Sequence, residues 1–397
     1  MVLEELRARV ESDRKSAALS PATLVELSEC EPALECRTEP VRALLTEAAA
    51  ALDQAGEPAL EGRVLRRLAQ LKMIEQDLDG AKTLAARARQ RSREARDGSG
   101  VLAAAALASR IELRRGGDAE AQATLVKLAG IAEGAAIDER ARVELSLAMA
   151  EVSLEEQGAE AEAEELFSEL LAGVDGDDRL LDATFTCRQA LGMLTLGRGD
   201  VSAACHHLRA VLTVAKRVGS VPDELRARIA LGGALVARGD DAGITEAERH
   251  VQIARDKALE HGDDDMHTAA LMGQAGLLAQ KRRIRGALDR CLEIARSAAE
   301  KQDLRRYVAA VALMSEIYAQ TGDYASAFRT VAESYHALRA QLGGDLKPLF
   351  EPQLRALADR VGPERLAALS EDAKLARALR DQLEARGEAP ASHKEPE

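Results

Sequence analysis

Apolar positions between Arg305 and Ser334 (RRYVAAVALMSEIYAQTGDYASAFRTVAES) fall at helical spacing through Tyr307, Val311, Met314 and Tyr318, until Thr321, Gly322 and Asp323 interrupt them. A second amphipathic run opens at Tyr324 and carries Ala327, Phe328, Val331 and Ser334 on one face. Recurrence at three and four residues marks a helix with one buried side. Asp323 is placed to accept hydrogen bonds from the first free N–H groups of the second helix. The stretch therefore predicts a helix, a tight turn and an antiparallel helix.

The pattern repeats up the chain. Ala81 follows Asp77 through Gly80, Gln122 follows Gly117-Asp118, and Ala163 follows Gly158; Ala204 and Ala247 follow Gly199-Asp200 and Gly239-Asp240. Ala287 then follows Gly286, and Ala327 follows Gly322-Asp323. These small-residue positions, with Gln122 filling the weakest, lie 40 to 43 residues apart, and the longest step is assigned to a longer turn around Asp241-Ala242-Gly243. The physical reason is steric. Where two helices cross closely, anything larger than Gly or Ala would force the backbones apart, so small residues recur at the crossing and larger ones fill its flanks. Gly then closes one helix in a left-handed turn and Asp caps the next.

On Met314, Ser315, Tyr318, Gly322, Tyr324 and Ala327 the chain resembles the tetratricopeptide repeat (TPR) family, with Ser315 where the family has Gly, and Val331 and Ser334 replacing Phe and Ala. The period exceeds the roughly 34 residues of the basic repeat, which lengthens each helix by about one turn. In this it is similar to the kinesin light chain and to bacterial signalling regulators built on TPRs. The resemblance implies an all-α fold, a right-handed α-solenoid of antiparallel helix pairs.

Residues 2–18 and 21–35 read as two helices without the repeat signature, the second opened by Ser20-Pro21. They are read as an N-terminal cap, and with Val41 to Ala55, the second helix of a degenerate unit closed by Gly56, they make residues 1–55 an N-terminal helical cap and degenerate repeat. The array is expected over 56–342. Three short helices, Phe350–Arg360, Glu364–Leu369 and Glu371–Arg386, are expected to cap it within 343–386, and the polar, Pro-containing 387–397 to be disordered.

Composition narrows the function. Aromatics are 2% and Trp is absent, which suits close Ala and Leu packing rather than a sheet. A formal charge of −13 argues against nucleic acid as a partner. No stretch is long and apolar enough to cross a bilayer, and no signal peptide is visible, so a cytoplasmic protein is expected without membrane insertion. Cys30, Cys36, Cys187, Cys205 and Cys291 show no paired spacing and are expected to be reduced thiols. The chain has no Asn, whereas TPR modules that grip chaperone tails use Asn in their carboxylate clamp; that function is disfavoured, and N-glycosylation sites are absent. The Ala-, Arg- and Leu-rich composition suggests a bacterial genome rich in G and C.

No phosphate loop, dinucleotide fingerprint, HExxH or nucleophile elbow is present, so no catalytic residue, cofactor or metal is assigned. The run from His261 to His267 (HGDDDMH) offers a metal reading, but three Asp opening a helix are more simply a cap with favourable first-turn charge. Cys205-His206-His207 diverge by about 100° per residue around a helix, and are expected on the outer face rather than around one ion. Arg87, Arg89, Arg91, Arg93 and Arg96, with Arg63, Arg66 and Arg67 one helix earlier, read either as a docking patch or, preferably, as a solvated helix surface.

In TPR superhelices the first helix of each pair lines the concave side. Carried onto this chain, that selects Arg66, Gln70, Met73, Leu107 and Ile111, then Met149, Val152, Gln189 and Met193, and finally Arg226, Gly233, Met272, Gly276 and Glu316. Met is adaptable, and a Met-bearing groove with few charges suits an apolar helix or extended peptide. The expected function is thus a non-enzymatic scaffold or adaptor for a protein or helical peptide, in bacterial signalling or regulation. The alternative is a peptide-sensing regulator of a kinase, response regulator or transcription factor. Homo-oligomerisation is compatible with either.

Overall fold

The structure is a computed structural model that describes residues 2–16, 20–33, 38–156, 158–343, 346–362 and 364–371. The expected helix Glu371–Arg386 beyond its first residue, the tail 387–397 and Cys36 lie outside the described residues. Among the described residues the secondary structure is helical, with no strand. Contacts divide the chain into two compact units, Met1–Arg238 and Gly239–Glu397.

The first unit opens with α1 (Val2–Ser16), α2 (Pro21–Cys30) and α3 (Glu39–Ala55). Antiparallel pairs follow: α4 (Pro58–Ile74) with α5 (Leu78–Glu94), α6 (Gly98–Arg114) with α7 (Asp118–Glu133), α8 (Glu139–Glu155) with α9 (Glu160–Val174), and α10 (Leu181–Gly197) with α11 (Val201–Val218). A 3-10 turn, Asp178–Leu180, precedes α10, and α12 (Val221–Arg238) closes the unit. The second unit runs through α13 (Asp241–His261), α14 (Asp264–Gln280), α15 (Ile284–Glu300), α16 (Leu304–Gln320), α17 (Tyr324–Leu342) and α18 (Lys347–Val361), with residues 364–371 also helical. Each unit is an α-solenoid stack of TPR-like helical repeats, in which successive helices pack on one another.

At several turns one Asp serves two helices. The N–H of Asp323 donates to Tyr318 O at 3.0 Å, closing α16, and its Oδ1 accepts from the N–H of Ser326 at 3.0 Å, opening α17. Asp77 does the same with Lys72 O (2.9 Å) and the N–H of Gly80 (3.0 Å). This is a Schellman closure followed immediately by an N-cap. The residue before the Asp is left-handed, with φ of 81° at Gly322 and 86° at Gly199, as the Gly-Asp signature predicts. Gln76, Arg96, Arg282 and Gln302 take the same conformation without being Gly.

Ala81, Ala163, Ala204, Ala247, Ala287 and Ala327 are all fully buried. Gln122 does not hold the corresponding place. Ala121, four residues after the cap Gly117, is the buried one, while Gln122 turns outward and its Nε2 donates to Glu156 Oε2 at 3.2 Å. The long step has a different origin from the expected longer turn. Asp240 caps α13 directly, so Asp241, Ala242 and Gly243 belong to the helix, which gains a turn before Ala247. Where α10 crosses α11, a Cβ on Gly192 would stand 3.0 Å from Leu208, which explains the absence of a side chain there. Each core joins a pair to the first helix of the next: Ala69, Met73, Ala81, Ala85, Leu107 and Ile111 form one such cluster across α4, α5 and α6.

Candidate functional site

α4 presents its inner face to α2, and the ion network it carries runs on to the first helices of the following pairs, α6, α8 and α10. Arg66 and Arg67 do not belong to a solvated surface: they are 5% and 0% exposed. Arg67 donates to the backbone carbonyls of Ser28 (3.0 Å) and Glu31 (2.6 Å) and pairs with Asp182 on α10 at 2.8 Å. Arg66 pairs with Glu29 at 2.6 Å and reaches Glu144 on α8 at 3.4 Å. Arg110 on α6 continues the chain to Glu144 (3.3 Å) and holds Glu151 through two nitrogens, at 2.6 and 2.8 Å. Arg87, Arg89, Arg91, Arg93 and Arg96, by contrast, are exposed, and Arg91 pairs with Glu61 and Glu94.

Burial alone would raise the Glu29 pKa, but the charges of Arg66 and Arg63 beside it, with Arg140 beyond, bring it down to about 2. Burial likewise opposes ionisation of Glu151 and is overcome by Arg110, leaving its pKa lowered. At Arg67 the balance runs the other way, and burial lowers its pKa despite Asp182. The network thus satisfies charges that could not stand alone in the interior, and it ties α2 to α4 and α4 in turn to α8 and α10.

Beyond the network lies an open cleft of about 1360 Å³, walled by the C-terminal halves of α4, α6, α8 and α10 and by the turns into α7 and α9, with Ala33 at one border. Its apolar wall includes Leu154 and Met193, respectively 37% and 57% exposed, with Phe185 buried behind. Arg110, Asp118, Glu151, Glu155, Glu160 and Glu164 supply charge along the floor and rim.

Of the residues assigned to the groove, Met73, Gln189 and Met193 line this cleft, although Met73 is 1% exposed and forms only its base. Leu107 and Ile111 are core, and Val152 is buried, with Met149 half-buried against the same cluster. Gln70 is buried and accepts from Arg67 Nη1, and Arg66 is spent on the ion network. These positions point inward because α4, α6 and α8 pack on one another in sequence as well as on their partner helices. On α12, Arg226 and Gly233 are exposed. In the second unit Met272 and Gly276 are half-buried, and Glu316 pairs with Arg360 on α18 at 2.9 Å.

Arg110, Glu144, Glu151 and Asp182 carried no motif. The visible signal was the seven-residue step from Glu144 to Glu151, which puts two acids on one stripe of α8. Asp263 caps α14 by accepting from Met266 N–H at 3.0 Å, while Asp264 and Asp265 pair with Lys301 and Arg306. Cys205 is buried rather than on the outer face; His206 and His207 flank Arg188, at 3.2 and 3.3 Å. Among the described residues no group of three or more His, Cys, Asp or Glu is placed to hold a metal ion, and no helix is long and apolar enough to cross a membrane.

Fold and cleft together define an all-α helical-repeat protein of TPR-like architecture with a concave surface. No family model matches the chain, and no curated protein sequence matches it. Solved structures do. A signal transduction ATPase with numerous domains from Pyrococcus horikoshii, which carries a tetratricopeptide repeat sensor, superposes with a TM-score of 0.53 at 15% identity over 87% of this chain. The chain spans 54% of that protein's length. The apo form of RapI superposes with a TM-score of 0.51 at 12% identity, covering 98% of both chains. At such identities the likeness is one of fold.

Proposed function

We propose that this chain is a non-enzymatic scaffold or adaptor, a long-period member of the TPR family that takes a segment of another protein, or a helical peptide, into the cleft of its first unit. The observation that carries the proposal is the cleft itself, concave, partly apolar, and bordered by Arg110, which is already committed to Glu151. The acidic charge of the chain supports a protein rather than a nucleic-acid partner. We place the partnership in bacterial signalling or regulation, in the cytoplasm. A photo-crosslinking side chain introduced at Met193 is expected to capture a defined protein partner, and the same group at exposed Arg89 on α5 is not. Capture only from Arg89, or turnover of a substrate that survives substitution of the cleft lining, would overturn the proposal.

A second reading is favoured by one observation. The segment after α2 borders the cleft at Ala33, and α2 is held by ion pairs rather than by apolar packing alone, so an occupant has something to move. On that reading the protein is a peptide-sensing regulator of a kinase, response regulator or transcription factor, and the tetratricopeptide repeat sensor of the Pyrococcus protein lends support to a sensing role. Small-angle scattering separates the two: a sensor compacts when peptide binds, and an adaptor keeps its dimensions.

A further inference from the structure

The cleft carries a charge arrangement that its own helices do not want. α4 ends at Ile74, α6 at Arg114, α8 at Glu155 and α10 at Gly197, and residues from all four last turns line it. The C-terminus of a helix bears partial negative charge and favours a cation. α6 follows that rule with Arg114. α8 violates it: its last turn has no basic residue, its final residue is Glu155, and Glu155 is exposed, its carboxylate without a hydrogen bond or ion pair to any described residue.

The other charges of the lining largely cancel. Arg110 is matched by Glu151 at 2.6 Å and Arg198 by Glu164 at 2.7 Å. That leaves Arg114 against Asp118, Glu155 and Glu160. Asp118 and Glu160 stand in the first turns of α7 and α9, whose positive ends offset part of their charge. Glu155 has no such offset. Beside it Leu154 and, across the cleft on α10, Met193 expose apolar surface to the same space. An acid that opposes its own helix, next to exposed apolar side chains on a concave wall, costs stability without return inside the chain.

We propose that the cleft selects a polypeptide segment in which an apolar side chain adjoins a Lys or Arg. The apolar group rests on Leu154 and Met193, the cation is taken by Glu155, and Asp118 and Glu160 draw it toward the rim. This rests on the cleft being the binding surface, and the test keeps the two claims apart. Three fluorescein-labelled hexapeptides, capped at the C-terminus and composed of Leu with Lys, Leu with Gln or Leu with Glu, are titrated with the full chain by fluorescence polarisation. The Leu–Lys peptide is expected to bind about tenfold or more tighter than Leu–Gln, a difference that shrinks as salt rises. Glu155→Gln weakens Leu–Lys about tenfold, leaves Leu–Gln unchanged, and leaves the melting temperature equal or higher.

Equal binding of all three peptides, abolished by Leu154→Ser with Met193→Ser, would overturn the charge preference and leave the cleft as the binding surface. Leu–Lys binding that survives the double substitution would be diffuse attraction to an acidic protein and would overturn the proposal. Absence of Leu–Lys binding overturns it too, and if Met193 also captures no partner, the adaptor reading falls with it.

Discussion

Gln302 has a φ of 56°, the left-handed conformation that Gly322 adopts at the next turn. A side chain there costs about 1–2 kcal/mol, of which the greater freedom of unfolded Gly returns about 0.4–1 kcal/mol. Gln302→Gly is therefore expected to stabilise the protein by about 0.5–1 kcal/mol, read from the urea midpoint at constant slope. The small-residue positions behave oppositely. Ala204 is fully buried where α11 meets α10, so Ala204→Leu is expected to cost about 1–3 kcal/mol or more by overpacking, whereas Gln122→Leu, on an exposed position, stays within about 0.5 kcal/mol. That contrast also explains a misreading. With Ala121 and Gln122 adjacent, spacing alone fits either residue, and only the cap at Gly117 decides which one faces the crossing.

At the scale of elements, turns were legible because their chemistry is local. An Asp that closes one helix and caps the next reaches no further than five residues back and three residues on, all of them written in sequence. The placement of α2 was not legible, because its determinants come from four helices. Arg67 holds α2 and the residue after it through two carbonyls and α10 through Asp182, so Arg67→Met leaves two buried carbonyls without their donor and Asp182 with only Arg140, at 3.5 Å, as its cation. We expect a loss of about 3–5 kcal/mol, with hydrogen exchange of the α2 amides accelerating most. The same contact gives a pH dependence. The Glu29 pKa falls from its ordinary 4.5 to about 2 on folding, so the stability it contributes is fully present above pH 4.5 and is lost as pH falls from 4.5 through 2. Acid titration of the exchange rates in α2 should show that loss, and Glu29→Gln should flatten it.

Among the described residues, buried apolar clusters are assembled within the units from three to five successive helices, and contacts divide the protein at Arg238 and Gly239. A repeat stack of this kind is held by nearest-neighbour interfaces rather than by one core, which weakens all-or-none unfolding. Calorimetry is expected to give a measured enthalpy larger than the van't Hoff value; equality of the two would show a single cooperative unit.

Helices, turn chemistry and a period near 41 residues follow from the sequence alone, since each depends on side chains within a turn or two of one another. Which arginines became interior and which residues open onto the cleft was decided by the tertiary structure. Arg66 and Arg89 have the same chemistry, yet one meets Glu29 and Glu144 in the interior while the other faces solvent. The difference is made by helices that are distant in the chain and adjacent only after they stack.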